Sequence, residues 1–160
     1  MQKFTCCFTG HRTAKLCKSE KETKQLLDEA INKAINMGFK IFISGMATGI
    51  DTWAAEIILK KKESNNNIEL LCAIPHPNFE KSRDTAEKRL YSEIVSKANN
   101  VILVNDHFFR GCYQVRNKWM VDMSSLVIAA FHHIEGGTKN TIDYAKKKNI
   151  EVINIFEQFQ

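Results

Sequence analysis

Six short apolar runs recur along the chain, and helical patterns separate them. The runs span 3–8 (KFTCCF), 40–44 (KIFIS), 68–74 (IELLCAI), 100–104 (NVILV), 126–131 (LVIAAF) and 150–155 (IEVINI). Nearly unbroken apolar strands that alternate with helices are typical of a parallel sheet covered on both faces. The pattern therefore predicts a Rossmann-like α/β fold, a three-layer α/β/α sandwich with a mostly parallel sheet, in one domain over residues 1–160.

The first helix has the clearest pattern of the chain. Ser19 and Glu22 have the spacing of a capping box, and apolar residues then recur with a 3.6-residue period from Leu26 to Ile35. Gly38 suits the end of this helix. Four further helices are predicted near 51–62, 80–98, 113–124 and 138–148.

Charge and cysteine content exclude several classes of protein. The net charge of +5 is compatible with an anionic ligand, but it is too diffuse to predict a nucleic-acid partner. The longest wholly apolar run, Leu126 to Phe131, is far too short to span a membrane, so we expect a cytoplasmic protein. The five cysteines lack metal-ligand spacing. We expect free thiols, no metal and no cofactor, with Cys17 and Cys112 placed in loops where they could be reactive.

Three loops that follow predicted strands combine glycine with hydroxyl-bearing or cationic side chains. They cover Thr9–Arg12, Ser44–Asp51 and His132–Thr141. Ligands bind open parallel sheets at the carboxyl ends of the strands, and backbone N–H groups at a glycine turn or a helix N-terminus can hold a phosphate. Each loop alone is common turn chemistry. If the three strands are neighbours, the loops together predict an anion pocket.

Four segments occur in an order that resembles the YpsA-like family of the SLOG superfamily. They are FTGHR, SGMATGID, YQVRNKWMVDMSSLVIAAF and GGTKNTIDYA, and the resemblance covers nearly the whole chain. It implies a Rossmann-like fold that binds a nucleotide or a nucleotide-derived small molecule, in a superfamily that includes LOG-type phosphoribohydrolases and DprA proteins. The residues predicted to bind the ligand are Gly10, His11, Arg12, Ser44, Gly45, Met46, Gly49, Asp51, Arg116, Asn117, Gly136, Gly137, Thr138 and Thr141.

The resemblance also assigns roles within this set. It implies that the loop from Gly136 to Thr141 cradles a phosphate and that Arg116 faces the ligand. Loss of such an arginine should weaken binding about ten- to 150-fold and leave the stability of the free protein nearly unchanged. LOG-type enzymes carry a glutamate where this chain has Tyr144, and Asp143 is one position away, about 100° around a helix.

This departure favours a sensor or sequestering module over an enzyme. Two alternatives stay open, a nucleotide-processing hydrolase that uses Asp143 or Asp51, and a DprA-like nucleic-acid binder. Asp51 itself either contacts a ribose hydroxyl or caps the N-terminus of its helix.

Other residues also have two interpretations. His11 and Arg12 either bind phosphate or hydrogen-bond to loop carbonyls. The segment Pro75–Pro77 either shapes the rim of the pocket or ends a strand, and the second interpretation is favoured. Relatives commonly dimerise through helices that flank the site, and Trp119, Met120 and Met123 occupy such a helix. We therefore expect a homo-oligomer.

Overall fold

The computed structural model describes residues 2–11, 16–133 and 135–157 of the 160-residue chain. After a 3-10 turn at Gln2–Phe4, six strands alternate with five α-helices. The strands are β1 (Thr5–Gly10), β2 (Ile41–Ser44), β3 (Glu69–Ile74), β4 (Asn100–Leu103), β5 (Leu126–Ala130) and β6 (Glu151–Asn154). The helices are α1 (Glu20–Asn36), α2 (Ile50–Lys62), α3 (Thr85–Lys97), α4 (Cys112–Asp122) and α5 (Gly137–Lys147).

The strands form one sheet in the order β4-β3-β2-β1-β5-β6, and all five pairings are parallel. The chain therefore winds outward from β1 to β4, returns, and continues on the other side of β1. This reversal creates a crevice between β1 and β5 at the carboxyl edge of the sheet, the place where such folds bind ligands. Because β2, β1 and β5 are neighbours, their three exit loops meet at that edge, and the predicted Rossmann-like fold is confirmed.

Two hydrophobic layers cover the sheet. Alternate strand residues such as Cys6 and Phe8 pack with α1, α2 and α3 in the larger core. Cys7 points to the opposite face and packs in a smaller core with Met120 and Val121 of α4 and Ala145 of α5. Successive side chains of a strand point to opposite faces of the sheet, which is why Cys6 and Cys7 pack in different layers. Both faces of the sheet are thus buried, as near-continuous apolar strands require.

Helix boundaries follow local capping chemistry. The Ser19 hydroxyl oxygen accepts from the Glu22 N–H at 3.1 Å, and Gly38, just beyond the last turn of α1, has φ of +98°. This confirms the predicted helix from capping box to terminal glycine. The third helix was predicted from residue 80, which is wrong, because Asp84 caps α3 by accepting from the Glu87 N–H at 2.9 Å.

Strand β1 is displaced from the predicted 3–8. It starts at Thr5, opposite Ile41 of β2, and its last residues, Thr9 and Gly10, pair with Ala129 and Ala130 of β5. The prediction followed the run of apolar residues and therefore ended before Thr9 and Gly10, although both belong to the hydrogen-bonded pairing with β5. None of the helices within the described residues is long and apolar enough to cross a membrane.

Candidate ligand-binding site

A cavity of about 780 Å³ opens at the carboxyl edge of the sheet. Its wall combines the end of β1, the starts of α2, α4 and α5, and the segment 79–87. This volume is in the range of small-molecule sites. Eight of the residues predicted to bind the ligand line it: Gly10, His11, Asp51, Arg116, Asn117, Gly136, Gly137 and Thr138.

The other predicted residues have different positions. Arg12 lies outside the described residues. The remaining five belong to the end of β2, the loop after it or the body of α5, and they are not part of the described lining of the cavity: Ser44, Gly45, Met46, Gly49 and Thr141.

Arg116 is a buried arginine at the inner wall. Its side chain is 4% exposed, its Nη1 donates to the carbonyl oxygens of Gly45 and Ala73, and its Nε donates to Asn117 Oδ1 at 2.8 Å. The guanidinium therefore ties the ends of β2 and β3 to the start of α4. These bonds within the protein use much of the hydrogen-bonding capacity of the guanidinium.

Asp51 is the counterion of Arg116. Its carboxylate is buried, and Oδ2 accepts from the Ala47 N–H at 3.2 Å. Burial raises the pKa of Asp51 above its ordinary value, while the charge of Arg116 and the bond from Ala47 oppose the rise. Burial likewise lowers the pKa of Arg116, and Asp51 opposes that change. The N-cap of α2 is Gly49, so the alternative that Asp51 caps this helix is wrong.

The loop after β2 is held by bonds of its own. Ser44 Oγ donates to the Asp51 carbonyl at 2.8 Å and accepts from the Met46 N–H at 3.2 Å. A side chain on Gly45 would place its Cβ 2.9 Å from Arg116 Cζ, and Gly49 has φ of +95°, a region that favours glycine. Both glycines are explained by the fold, whether or not phosphate approaches them.

His11 joins two of the exit loops. It is 6% exposed, its Nε2 accepts from the His132 N–H at 3.1 Å, and its ring lies 5.3 Å from that of Phe131. This bond links the end of β1 to the chain after β5, whereas the hydrogen-bonding interpretation of His11 expected a backbone carbonyl as the partner of the side chain. His11 still lines the cavity.

The start of α5 presents open backbone to the cavity. Gly136 is its N-cap with φ of +140°, and a Cβ there would meet no described atom within 4 Å. A Cβ on Gly137 would meet only Gln114 Nε2, at 3.4 Å. Thr141 is turned into the helix, where its hydroxyl donates to the Gly137 carbonyl at 2.8 Å. Unlike the loop after β2, this turn has room for a ligand against the backbone.

Three helix N-termini lack a side-chain cap among the described residues. The N-caps of α2, α4 and α5 are Gly49, Gly111 and Gly136, and all three helices contribute to the cavity wall. By contrast, Ser19 and Asp84 cap α1 and α3. Free N–H groups and the positive ends of the helix dipoles favour an anion here. No group of three or more His, Cys, Asp or Glu side chains within the described residues is placed to hold a metal ion.

Arg83 is a cavity residue that the sequence analysis missed. Its guanidinium lies 4.8 Å from the Phe79 ring centroid and 5.0 Å from that of Tyr91, and its Nη2 donates to the Met46 carbonyl. Its Nη1 is buried without a hydrogen-bond partner among the described atoms. Burial lowers the pKa of Arg83, and the nearby Tyr91 and Glu87 oppose this. Arg83 thus keeps an unsatisfied donor beside the cavity.

The segment that carries Arg83 follows β3, the strand next to β2. The rule that selected the other three loops did not select this one, because residues 75–84 contain no glycine. Of the two interpretations of Pro75–Pro77, the strand end was favoured over the pocket rim. Phe79, Glu87 and Tyr113 also line the cavity and were missed. Conversely, Asp143 is not in the described lining, since it is exposed and pairs with Lys139 at 2.7 Å.

Residues 6–157 match the model of the YpsA family, described as the YspA SLOG family. The chain is 27% identical over 118 residues to the SPbeta prophage-derived protein YoqJ of Bacillus subtilis strain 168, covering 66% of this chain and 69% of that protein. It is 24% identical over 128 residues to a UPF0398 protein of Halalkalibacterium halodurans, covering 78% and 68% of the two chains.

Two solved structures share the fold. One is DNA processing protein A from Helicobacter pylori, reported for its single-stranded DNA binding mode, with a TM-score of 0.65 and 18% identity. The other is the X-ray structure of DprA from Streptococcus pneumoniae, with a TM-score of 0.63 and 20% identity. Each match covers 94% of this chain, but only 64% and 50% of those two chains.

Proposed function

The chain belongs to the YpsA family of SLOG proteins, and from this premise we propose that it binds a nucleotide or nucleotide-derived ligand in the cavity, as a sensor or sequestering module. The observation that carries the proposal is the open helix N-terminus at Gly136–Gly137 in a cavity that the cationic side chain of Arg83 also lines. Both groups favour an anion such as phosphate.

The proposal favours binding over turnover. A hydrolase that cleaves an N-glycosidic bond needs a carboxylate near the cationic sugar of its transition state. Asp143 pairs with Lys139 outside the described lining, and Asp51 is engaged by Ala47 and faces Arg116. The proposal therefore assigns a catalytic role to neither carboxylate.

Gly137→Val provides the test. The open space around Gly137 lets the variant fold, while its side chain occupies the place of the proposed phosphate. We expect a weaker affinity for nucleoside monophosphates in calorimetry, with an unchanged melting temperature. Equal affinity in Gly137→Val and the native protein would refute the proposed position of the phosphate.

Gly45→Val is the matched contrast. Its Cβ would lie 2.9 Å from Arg116 Cζ and Nη1 and 3.0 Å from Asp51 Oδ2, so this variant should lose stability first. Mass spectrometry of small molecules released when the purified protein is denatured would identify a natural ligand directly. Recovery of a nucleotide-derived compound supports the proposal, and recovery of an unrelated compound opposes it.

Single-stranded DNA is a second candidate ligand. The fold likeness to DprA, together with aromatic rings at the cavity rim, favours it. Such binding is strongly salt-dependent, because each phosphate contact releases counterions. A steep loss of oligonucleotide affinity with salt, absent for mononucleotides, would assign the site to DNA.

We also propose that the protein forms a homo-oligomer. Met120 is 1% exposed and packs in the core of its own chain, so it is not available to a partner. The edge strand β4 instead exposes Val101, Ile102 and Leu103 by 45%, 36% and 50%. Apolar edge strands pair readily with another copy. Light scattering should give a multiple of 18.4 kDa, and Leu103→Lys should reduce it to the monomer mass.

A further inference from the structure

Four aromatic side chains meet beside the cavity, and we call them the aromatic rim: His76, Phe79, Phe108 and Tyr113. The His76 ring lies 5.6 Å from Phe79 and 5.0 Å from Phe108, edge to face in both cases. Tyr113 lies 5.8 Å from Phe79 and 6.4 Å from Phe108. The four rings come from the segment after β3, the segment after β4 and the start of α4.

The aromatic rim is more open than a core cluster. Phe108 is 61% exposed and Tyr113 is 41% exposed, although both belong to an array of edge-to-face and tilted contacts. Phe79 and Tyr113 are also part of the cavity wall. An exposed group of rings on the wall of a cavity is typical of a binding surface.

Hydrogen bonds hold the aromatic rim in place. His76 Nδ1–H donates to the Pro77 carbonyl at 2.8 Å, so the neutral ring leaves Nε2 as an acceptor for the Tyr113 hydroxyl at 3.3 Å. This arrangement fixes both ring planes before any ligand arrives. Preorganised rings lose little conformational entropy on binding.

The aromatic rim is continuous with the anion-binding part of the cavity. The Phe79 ring lies 4.8 Å from Arg83 Cζ and 5.7 Å from Arg116 Cζ. On the other side, Tyr113 precedes Gln114, whose Nε2 reaches within 3.4 Å of a Cβ built on Gly137. The rings of Phe79 and Tyr113, the two arginines and the start of α5 therefore surround one space of about 780 Å³. His76 and Phe108 adjoin it through their contacts with those two rings.

We infer that the aromatic rim is the nucleobase subsite of this cavity, with the base against the exposed faces of Phe108 and Tyr113 and the phosphate toward the start of α5. This inference rests on the proposed function. The ligand chemistry is a planar, uncharged heteroaromatic ring that carries a phosphate. It is supplied either by a free mononucleotide or by single-stranded DNA. Every base has a π-face, so stacking on these rings tolerates different bases.

The test compares Phe108→Ala with a matched control, Phe4→Ala. Phe4 is 43% exposed and precedes the amino end of β1, opposite the cavity. Calorimetry would measure the affinities of AMP, GMP, CMP and UMP, and of ribose 5-phosphate, which has the phosphate and the sugar without a base. A short oligothymidylate provides the single-stranded DNA arm.

Phe108→Ala should weaken the binding of mononucleotides by about five- to 150-fold, the effect of losing one stacking partner. The affinity for ribose 5-phosphate should not change, and Phe4→Ala should bind all probes as the native protein does. If Phe108→Ala affects the oligothymidylate alone, the base subsite stands and DNA is its source.

Two results would overturn the inference. If ribose 5-phosphate binds as tightly as AMP, or if Phe108→Ala binds both AMP and the oligothymidylate normally, the aromatic rim is not a base subsite, while the proposed phosphate site stands. If no mononucleotide, ribose 5-phosphate or oligothymidylate binds the native protein, the proposed function fails and this inference fails with it.

Discussion

Replacing Arg116 by methionine should cost the protein roughly 2–6 kcal/mol of unfolding free energy at neutral pH, the sum for two buried carbonyls that lose their donor. Methionine retains part of the apolar contact but no donor. The buried carbonyls of Gly45 and Ala73 lose their bonds to Nη1, and an unpaired buried acceptor costs about 1–3 kcal/mol. Asp51 remains buried without its counterion. A loss of this size is a large part of a typical domain's stability of about 5–15 kcal/mol.

The pH dependence of this loss identifies Asp51 as its source. Without the charge of Arg116, the pKa of the buried Asp51 carboxyl rises further above its ordinary value. The same carboxyl in the unfolded chain ionises at about pH 4. Between these two pKa values the folded state binds more protons than the unfolded state, so stability falls as the pH rises. The slope for one proton is about 1.4 kcal/mol per pH unit. Arg116→Met should therefore be least destabilised near pH 4.

Urea unfolding at several pH values would measure both effects, with Arg116→Met/Asp51→Asn as the matched variant. The double variant has no ionisable group at position 51, so its own unfolding free energy should not vary with pH through that position. Its loss relative to the native protein should also be smaller than the sum of the two single losses. The reasoning is refuted if Arg116→Met costs less than about 1 kcal/mol, the range of a surface ion pair, or if its loss is independent of pH.

Three other predictions concern the buried cysteines and the two candidate catalytic carboxylates. At about pH 8, a thiol reagent should react rapidly only with the exposed Cys17. Burial raises the pKa of Cys7 and of Cys72 to about 12, so these thiols are not ionised at that pH. A second fast-reacting thiol would contradict this prediction. Between the ordinary thiol pKa of 9.0 and about 12, the unfolded thiols ionise first, so stability should fall by about 1.4 kcal/mol per pH unit for each buried thiol, and Cys72→Ala should reduce the slope. Incubation with nucleoside monophosphates should release no free base by chromatography. Release that is lost in Asp51→Asn and kept in Asp143→Asn would assign a hydrolase that uses Asp51.

The fold could be predicted because its determinants are local in the sequence. Apolar strands and the capping box at Ser19 depend on neighbouring residues, and each is visible without tertiary contacts. The start of α3 was placed too early because residues 80–84 have no feature incompatible with a helix. The spacing of Asp84 and Glu87 is that of a capping box, the signal that also placed α1, and the bond from Glu87 N–H to Asp84 marks the true start. Cys112, expected in a loop, is buried as the first residue of α4.

The site was less predictable, because burial of a polar side chain depends on distant carbonyls. Arg116 was expected to face a ligand and to contribute little to stability. The structure places its guanidinium against the ends of β2 and β3, 71 and 43 residues away, where buried acceptors need a donor. No period along α4 indicates such a partner. Arg83 was missed for the same reason, since its position follows from the path of the chain after β3.

The two walls of the cavity differ in how many new hydrogen bonds a ligand could make. At the inner wall, Arg116 and Asp51 make their bonds within the protein, so the fold does not require a ligand there. The unused donors belong to Arg83 and to the start of α5. Free and bound forms can then both be populated, and the ligand stabilises the protein only by mass action, by about 2.7 kcal/mol at a hundredfold excess over Kd. A sensor or sequestering module needs this property, because its occupancy must follow the ligand concentration while the empty protein stays folded.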